Sequence, residues 1–278
     1  MKNISQAVLI TILFSLNIFS QIDNVEFRRY TTSDGLSTNW FIADIAQDSN
    51  GYMWFASAEG LNRFDGYNFK IYRYDPNDSS SLRTNNVTSV LIDSKNRLWI
   101  GAYGPPNGGI GLWNTEEDNF LNVSPRVDTT DTDPDWNYIN PYLITSMYEG
   151  KSGNLWVGTS QGCDQFNTET LRYVHFRQNN PKFAVLYQKW VTTIFEDSFS
   201  NLWVGTNSGV YKYNLSTKEM EIFKKDTSSN RGLVSNRISS IYEDDSGILF
   251  VGTSNGGLHT YDYSKNEIVR NSKGLDNI

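Results

Sequence analysis

Cysteine is almost missing from this chain: Cys163 is the single one among 278 residues. One thiol forms no internal disulfide, so core packing alone must hold the fold together. Histidine is nearly as scarce, with only His175 and His259. Neither has an evident carboxylate or nucleophile partner in a loop, which leaves no recognisable catalytic base. Net charge is −7, and no Lys/Arg cluster interrupts it. Without a Lys/Arg cluster along the sequence, nucleic acid is a poor candidate partner. Long apolar runs are also absent after the first, Ala7–Phe19. That run is short for a bilayer span and right for the apolar region of a secretory signal. Residues 1–21 are therefore expected to be a signal peptide, and 22–278 a domain in the periplasm or secreted.

What the chain does have is aromatic residues at intervals, including eight Trp. Five segments align on an aromatic that follows an acidic turn: QDSNGYMWFAS, IDSKNRLWIGA, EGKSGNLWVGT, EDSFSNLWVGT and EDDSGILFVGT. The anchors are Trp54, Trp99, Trp156, Trp203 and Phe250. Nine residues before each stands Ile45, Val90, Met147, Ile194 or Ile241. Downstream come Phe64, Trp113, Phe166, Tyr213 and Tyr261, each followed by Asp or Asn and preceded by Gly at minus four. Registers that recur together every 45 to 57 residues mark an internal repeat.

Each unit reads as four short strands, β-branched and aromatic runs separated by Gly/Asn/Asp/Ser turns, the outer one of the third unit falling at Tyr173–Phe176. One such sheet cannot bury both faces, whereas a stack of them around an axis can. The expected fold is all-β, a β-propeller with five blades near 39–74, 86–123, 142–177, 190–224 and 236–271. The anchor ring should fill the gap between blades, and the Gly two residues later should let the next blade approach; Ala56 replaces it in the first.

At this point the residues resemble a known family. FRRYTTSDGLSTNW and the recurring D-x-x-G-x-[LI]-W-[VI]-G-T and G-L-x-x-[YF]-[DN] elements are similar to the two-component regulator propeller repeat. The resemblance implies the periplasmic sensory region of a membrane receptor, often a hybrid histidine kinase, with oligosaccharides as ligands. Kinase or regulator domains are the partners it implies, and none is encoded here. Phe27–Tyr30 reads as an orphan outer strand, and Lys273–Ile278 repeats the lead-in of the blades. Both suit an incomplete ring of a larger, about seven-bladed propeller.

Residues that break the period are the candidates for binding. The second unit has four extra residues before Trp113, and the connection after it is long. Tyr103, Asn107, Trp136 and Tyr138 fall there. Trp40 and Trp190 lie at loop ends, and Gln161, Asn207 and Asn255 in hairpin loops. Amides hydrogen-bond hydroxyls and aromatic faces pack on sugar rings, so these nine residues suit an oligosaccharide, though Asn and Ser also favour plain turns. Asp131-x-Asp133-x-Asp135 starts like a calcium loop, but Trp136 and Tyr142 occupy the Gly and Glu positions, so no metal or cofactor is expected. A non-catalytic sensor is the leading reading. A dimerising or protein-interaction scaffold is the alternative, with a propeller lyase or glycosidase behind it.

Overall fold

A computed structural model describes residues 27–104, 108–123, 143–174, 176, 180–226 and 231–270. The expected signal peptide, Asn107, Trp136, Tyr138, His175, the Asp131–Asp135 stretch and the Lys273–Ile278 lead-in lie outside the described residues.

Five antiparallel sheets of four strands follow one another along the chain. The first holds β1 (Ile42–Gln47), β2 (Met53–Ser57), β3 (Gly60–Phe64) and β4 (Phe69–Tyr72). The second holds β5 (Val87–Ile92), β6 (Leu98–Ala102), β7 (Gly109–Asn114) and β8 (Asn119–Val123). The third holds β9 (Ile144–Glu149), β10 (Leu155–Thr159), β11 (Gly162–Asn167) and β12 (Arg172–Tyr173). The fourth holds β13 (Val191–Glu196), β14 (Asn201–Thr206), β15 (Gly209–Asn214) and β16 (Met220–Phe223). The fifth holds β17 (Ile238–Glu243), β18 (Leu249–Thr253), β19 (Gly257–Asp262) and β20 (Glu267–Arg270). The inner strands β1, β5, β9, β13 and β17 pack side by side in that order. This is the expected propeller arrangement.

The acidic turns show why the sequence bends where it does. In four sheets one carboxylate oxygen caps two backbone N–H groups of the turn between the first two strands. Asp197 Oδ1 accepts from Phe199 N at 2.9 Å and Asn201 N at 2.8 Å. Asp48, Asp93 and Asp244 do the same. The other oxygen accepts the indole N–H of the anchor: Trp54 at 2.9 Å, Trp99 at 2.8 Å and Trp203 at 2.7 Å. A buried indole donor needs such a partner. The repeating acids are thus turn formers and indole acceptors. The third sheet has Gly150 in that place, and the buried Trp156 Nε1 has no partner among the described residues.

The anchors sit between sheets. Four apolar clusters correspond to the four junctions. Trp54 packs with Val87 and Val90 of the second sheet, and Trp99 with Ile144 and Met147 of the third. Trp156 packs with Val191 and Ile194, and Trp203 with Ile238 and Ile241. The glycine after the anchor is required by this approach. A Cβ on Gly158 would lie 2.6 Å from Val191 Cγ1, and one on Gly101 2.6 Å from Ile144 Cγ2. Ala56 is accepted and wholly buried in the first junction. A carboxylate also staples the sheets: Glu149, Glu196 and Glu243 each accept a turn N–H of the preceding sheet, from Ser94, Lys151 and Ser198.

The fifth sheet does not pack on the first as neighbours do. Ile45 is 53% exposed although its four register equivalents are buried, and Phe250 is only half-buried. These two residues face outward because no sheet covers them among the described residues. Two sequence expectations are corrected. Phe27–Tyr30 is not a strand. All five sheets carry a fourth strand of their own, and Tyr30 packs on Phe64 and Phe69 instead of pairing as a fifth. The outer strand expected at Tyr173–Phe176 is Arg172–Tyr173. A 3-10 helix, Pro181–Leu186, follows it, and its Phe183 joins Phe176 against Trp156 and Tyr213.

Candidate functional site

The loops that precede the inner strands and those that join the second and third strands meet at one end of the sheets. Backbone hydrogen bonds tie them. Asn207 N donates to Trp190 O at 3.1 Å, Tyr103 N to Asn86 O at 2.9 Å and Ser254 N to Arg237 O at 2.8 Å. Neighbouring units are joined as well, by Gln188 N to Gln161 O at 3.0 Å and Gly60 N to Asn85 O at 2.8 Å. Most of the hairpins themselves are closed by a Ser or Thr hydroxyl. Thr206 Oγ1 donates to Gly209 O and accepts from Ser208 N, and Ser57 and Thr159 repeat the pattern. The glycine that ends each loop has positive φ, for example 126° at Gly209, which a side chain rarely tolerates.

The candidate residues divide clearly. Trp40 is 97% exposed and Trp190 46%, while Trp54, Trp99, Trp156 and Trp203 are fully buried. The separation of periodic from non-periodic Trp therefore matches burial. Phe41 stands beside Trp40 and is also exposed. Phe41, Trp190 and Arg237 occupy one register position, thirteen residues before their anchors. Tyr103 is partly exposed and bridges Leu143. Asn207 and Asn255 are exposed, and Asn255 holds a left-handed φ of 63°. Gln161 is half-buried and contributes its carbonyl to the Gln188 contact. Asn207, Trp190, Gln161, Asn255 and Tyr103 thus belong to one hydrogen-bonded loop end.

The opposite end is occupied with structure. Its acids cap turns and pair with local cations: Arg97 with Asp93 at 2.7 Å, Lys95 with Glu169 at 2.8 Å and Lys265 with Asp262 at 2.8 Å. Hydrogen bonds and the Arg97 charge hold Asp93 below the usual carboxylate range against the opposing effect of burial. Among the described residues no group of three His, Cys, Asp or Glu is placed to hold a metal ion. Cys163 is buried, and burial pushes its thiol well above the ordinary value, which makes it a poor nucleophile. His259 is buried too, with Nε2 accepting the Val234 N–H at 3.2 Å. Asn62 does the same for Ser37 N in the first unit. This capping role was not foreseen; its signal is a polar residue two places before the third-strand aromatic.

Sheets of four strands stacked on buried Trp junctions, with a loop end that exposes aromatic and amide groups, define a β-propeller. The model of the two component regulator propeller family matches at 35–59, 81–104, 138–161, 188–208 and 232–255. The chain belongs to that family and carries five of its repeats. The extracellular domain of the hybrid two component system BT3049 from B. thetaiotaomicron is similar, at 25% identity and a TM-score of 0.72 over 87% of this chain and 31% of that one. The corresponding domain of BT4673 from the same organism shares the fold, at 21% identity and a TM-score of 0.67 over 90% of this chain and 34% of that one. Histidine kinase P4 of Formosa agariphila is 45% identical over 85 residues, 30% of this chain and 6% of that protein. The chain spans about a third of the solved domains and a small fraction of that kinase. No helix among the described residues is long and apolar enough to cross a membrane.

Proposed function

We propose that this chain is a ligand-sensing, non-catalytic propeller segment of an exported two-component receptor, and that its ligand is an oligosaccharide. The loop end carries the reading: two Trp rings lie open to solvent there, on a scaffold that buries four other Trp completely. An exposed indole is costly to maintain unless something covers it, and a pyranose face is the apolar surface that fits. Asn207, Asn255 and Gln161 supply amides beside it, as hydroxyl recognition requires. Tyr103 is assigned to the same binding face. Similarity to extracellular domains of two-component systems supports export and a signalling role. Transmission would run to kinase or regulator domains, with homodimer formation as the means of passing the signal on.

The test is calorimetry with a panel of oligosaccharides on the purified chain, with Trp190→Ala and Asn207→Ala alongside. The reading predicts stoichiometric binding, no change in the sugar, and at least about tenfold weaker binding for Trp190→Ala, the scale of one lost stacking contact. Turnover of any panel member, or binding indifferent to both substitutions, would count against it.

A further inference from the structure

We infer that the ligand of this loop end is anionic, its carboxylate or sulfate groups held by the cations of the fourth and fifth units; this rests on the oligosaccharide reading above. Four cations lie on the connections that lead into those two units. Lys189 precedes Trp190. The Cγ of Lys224 lies 3.2 Å from where a Gly209 side chain would begin, so its stem covers the hairpin that carries Asn207. Lys225 donates its N–H to Asn236 Oδ1 at 2.6 Å and bridges Leu233, which places it beside Arg237. Arg237 in turn accepts the Ser254 N–H on its carbonyl.

These groups are contiguous through the Trp190, Asn207 and Asn236 contacts, and Lys224, Lys225 and Arg237 are exposed. Among the described residues none of the four cations makes an ion pair. At the opposite end Lys95, Arg97 and Lys265 are all paired with acids. In a chain of net charge −7, with Asp226 the acid next to Lys225, cations outside any ion pair at one end favour an anion there. Those cations, next to an open indole, select a sugar bearing negative charge. A planar guanidinium binds a carboxylate or a sulfate bidentately, and the flanking lysines add point charges.

Three tetramers test this by calorimetry: a uronate without sulfate, a hexose with sulfate esters and no uronate, and a neutral hexose. Polyglutamate serves as a charged chain without sugar rings. The inference predicts binding of one charged tetramer, weakened several-fold between about 50 and about 200 mM salt, as screening demands. Which charged tetramer binds identifies carboxylate or sulfate as the group recognised. Arg237→Gln and Lys225→Gln should each weaken it at least about fivefold, the loss of one charge-assisted contact, with an unchanged melting temperature. Trp190→Ala should weaken every sugar that binds. A neutral tetramer bound equally well, without salt dependence, overturns the inference and leaves the oligosaccharide reading intact. Polyglutamate bound as tightly as the sugars overturns the role of the sugar ring. Failure to bind any tetramer overturns both readings.

Discussion

Two Trp→Phe substitutions separate the indole hydrogen bond from the packing of the ring. Trp203 and Trp156 are equally buried and occupy the same register position in adjacent sheets. Trp203→Phe removes the 2.7 Å bond to Asp197, a carboxylate with no exposed surface. Losing a hydrogen bond to a charged group costs about 1.5–3 kcal/mol. Trp156→Phe removes a donor that has no partner, which relieves a penalty of about 1–3 kcal/mol. The loss of ring volume is similar in both and cancels in the comparison. Trp203→Phe should therefore be more destabilising by about 2.5–6 kcal/mol, or about 5–24 °C in melting temperature for a domain of this size. Thermal unfolding followed by circular dichroism reads the difference directly. Equal losses in the two variants would refute the view that the repeating acid stabilises through the indole.

Three further outcomes follow from the same geometry. Gly158→Ala puts a Cβ 2.6 Å from Val191 Cγ1 and should lower stability by about 1–3 kcal/mol in denaturant unfolding, the cost of overpacking a junction. Gly111→Ala meets nothing closer than 3.8 Å and replaces a strand glycine, so it should raise stability by about 0.5–1 kcal/mol in the same assay. Burial holds His259 below its ordinary 6.5, with the facing Arg270 adding to the effect. The unfolded chain then takes up the proton first, so stability is full above pH 6.5 and declines as the pH falls toward the folded-state value. Melting temperatures from pH 8 to 5 should drop more for the wild type than for His259→Asn, which keeps an acceptor for Val234 N–H but does not titrate.

Much of this architecture was legible because the repeat supplies five readings of each position. The recurrence of Trp54, Trp99, Trp156 and Trp203 assigns them to junctions, and that of Gly101, Gly158 and Gly205 assigns them to close approach. What escaped was the pairing across units. Glu149, Glu196 and Glu243 also recur, seven residues before their anchors, but a recurring acid near a turn does not reveal that it caps a turn of the preceding sheet. The Pro181–Leu186 helix occurs in one unit only, so the repeat gives no signal for it, and Phe27–Tyr30, read as an orphan outer strand, pairs with no sheet. For the binding face, the period separated buried from open Trp, yet the cations beside Trp190 were not foreseen. Lys224, Lys225 and Arg237 come from two different connections and meet only through the Asn236 and Leu233 contacts.

Hydrogen exchange with and without a bound oligosaccharide tests the central claim most directly. The account predicts added protection at 187–190, 207–208, 224–225 and 235–237, with the turns at 48–52, 93–97 and 197–200 unchanged. Protection confined to those turns, at the opposite end of the sheets, would contradict it.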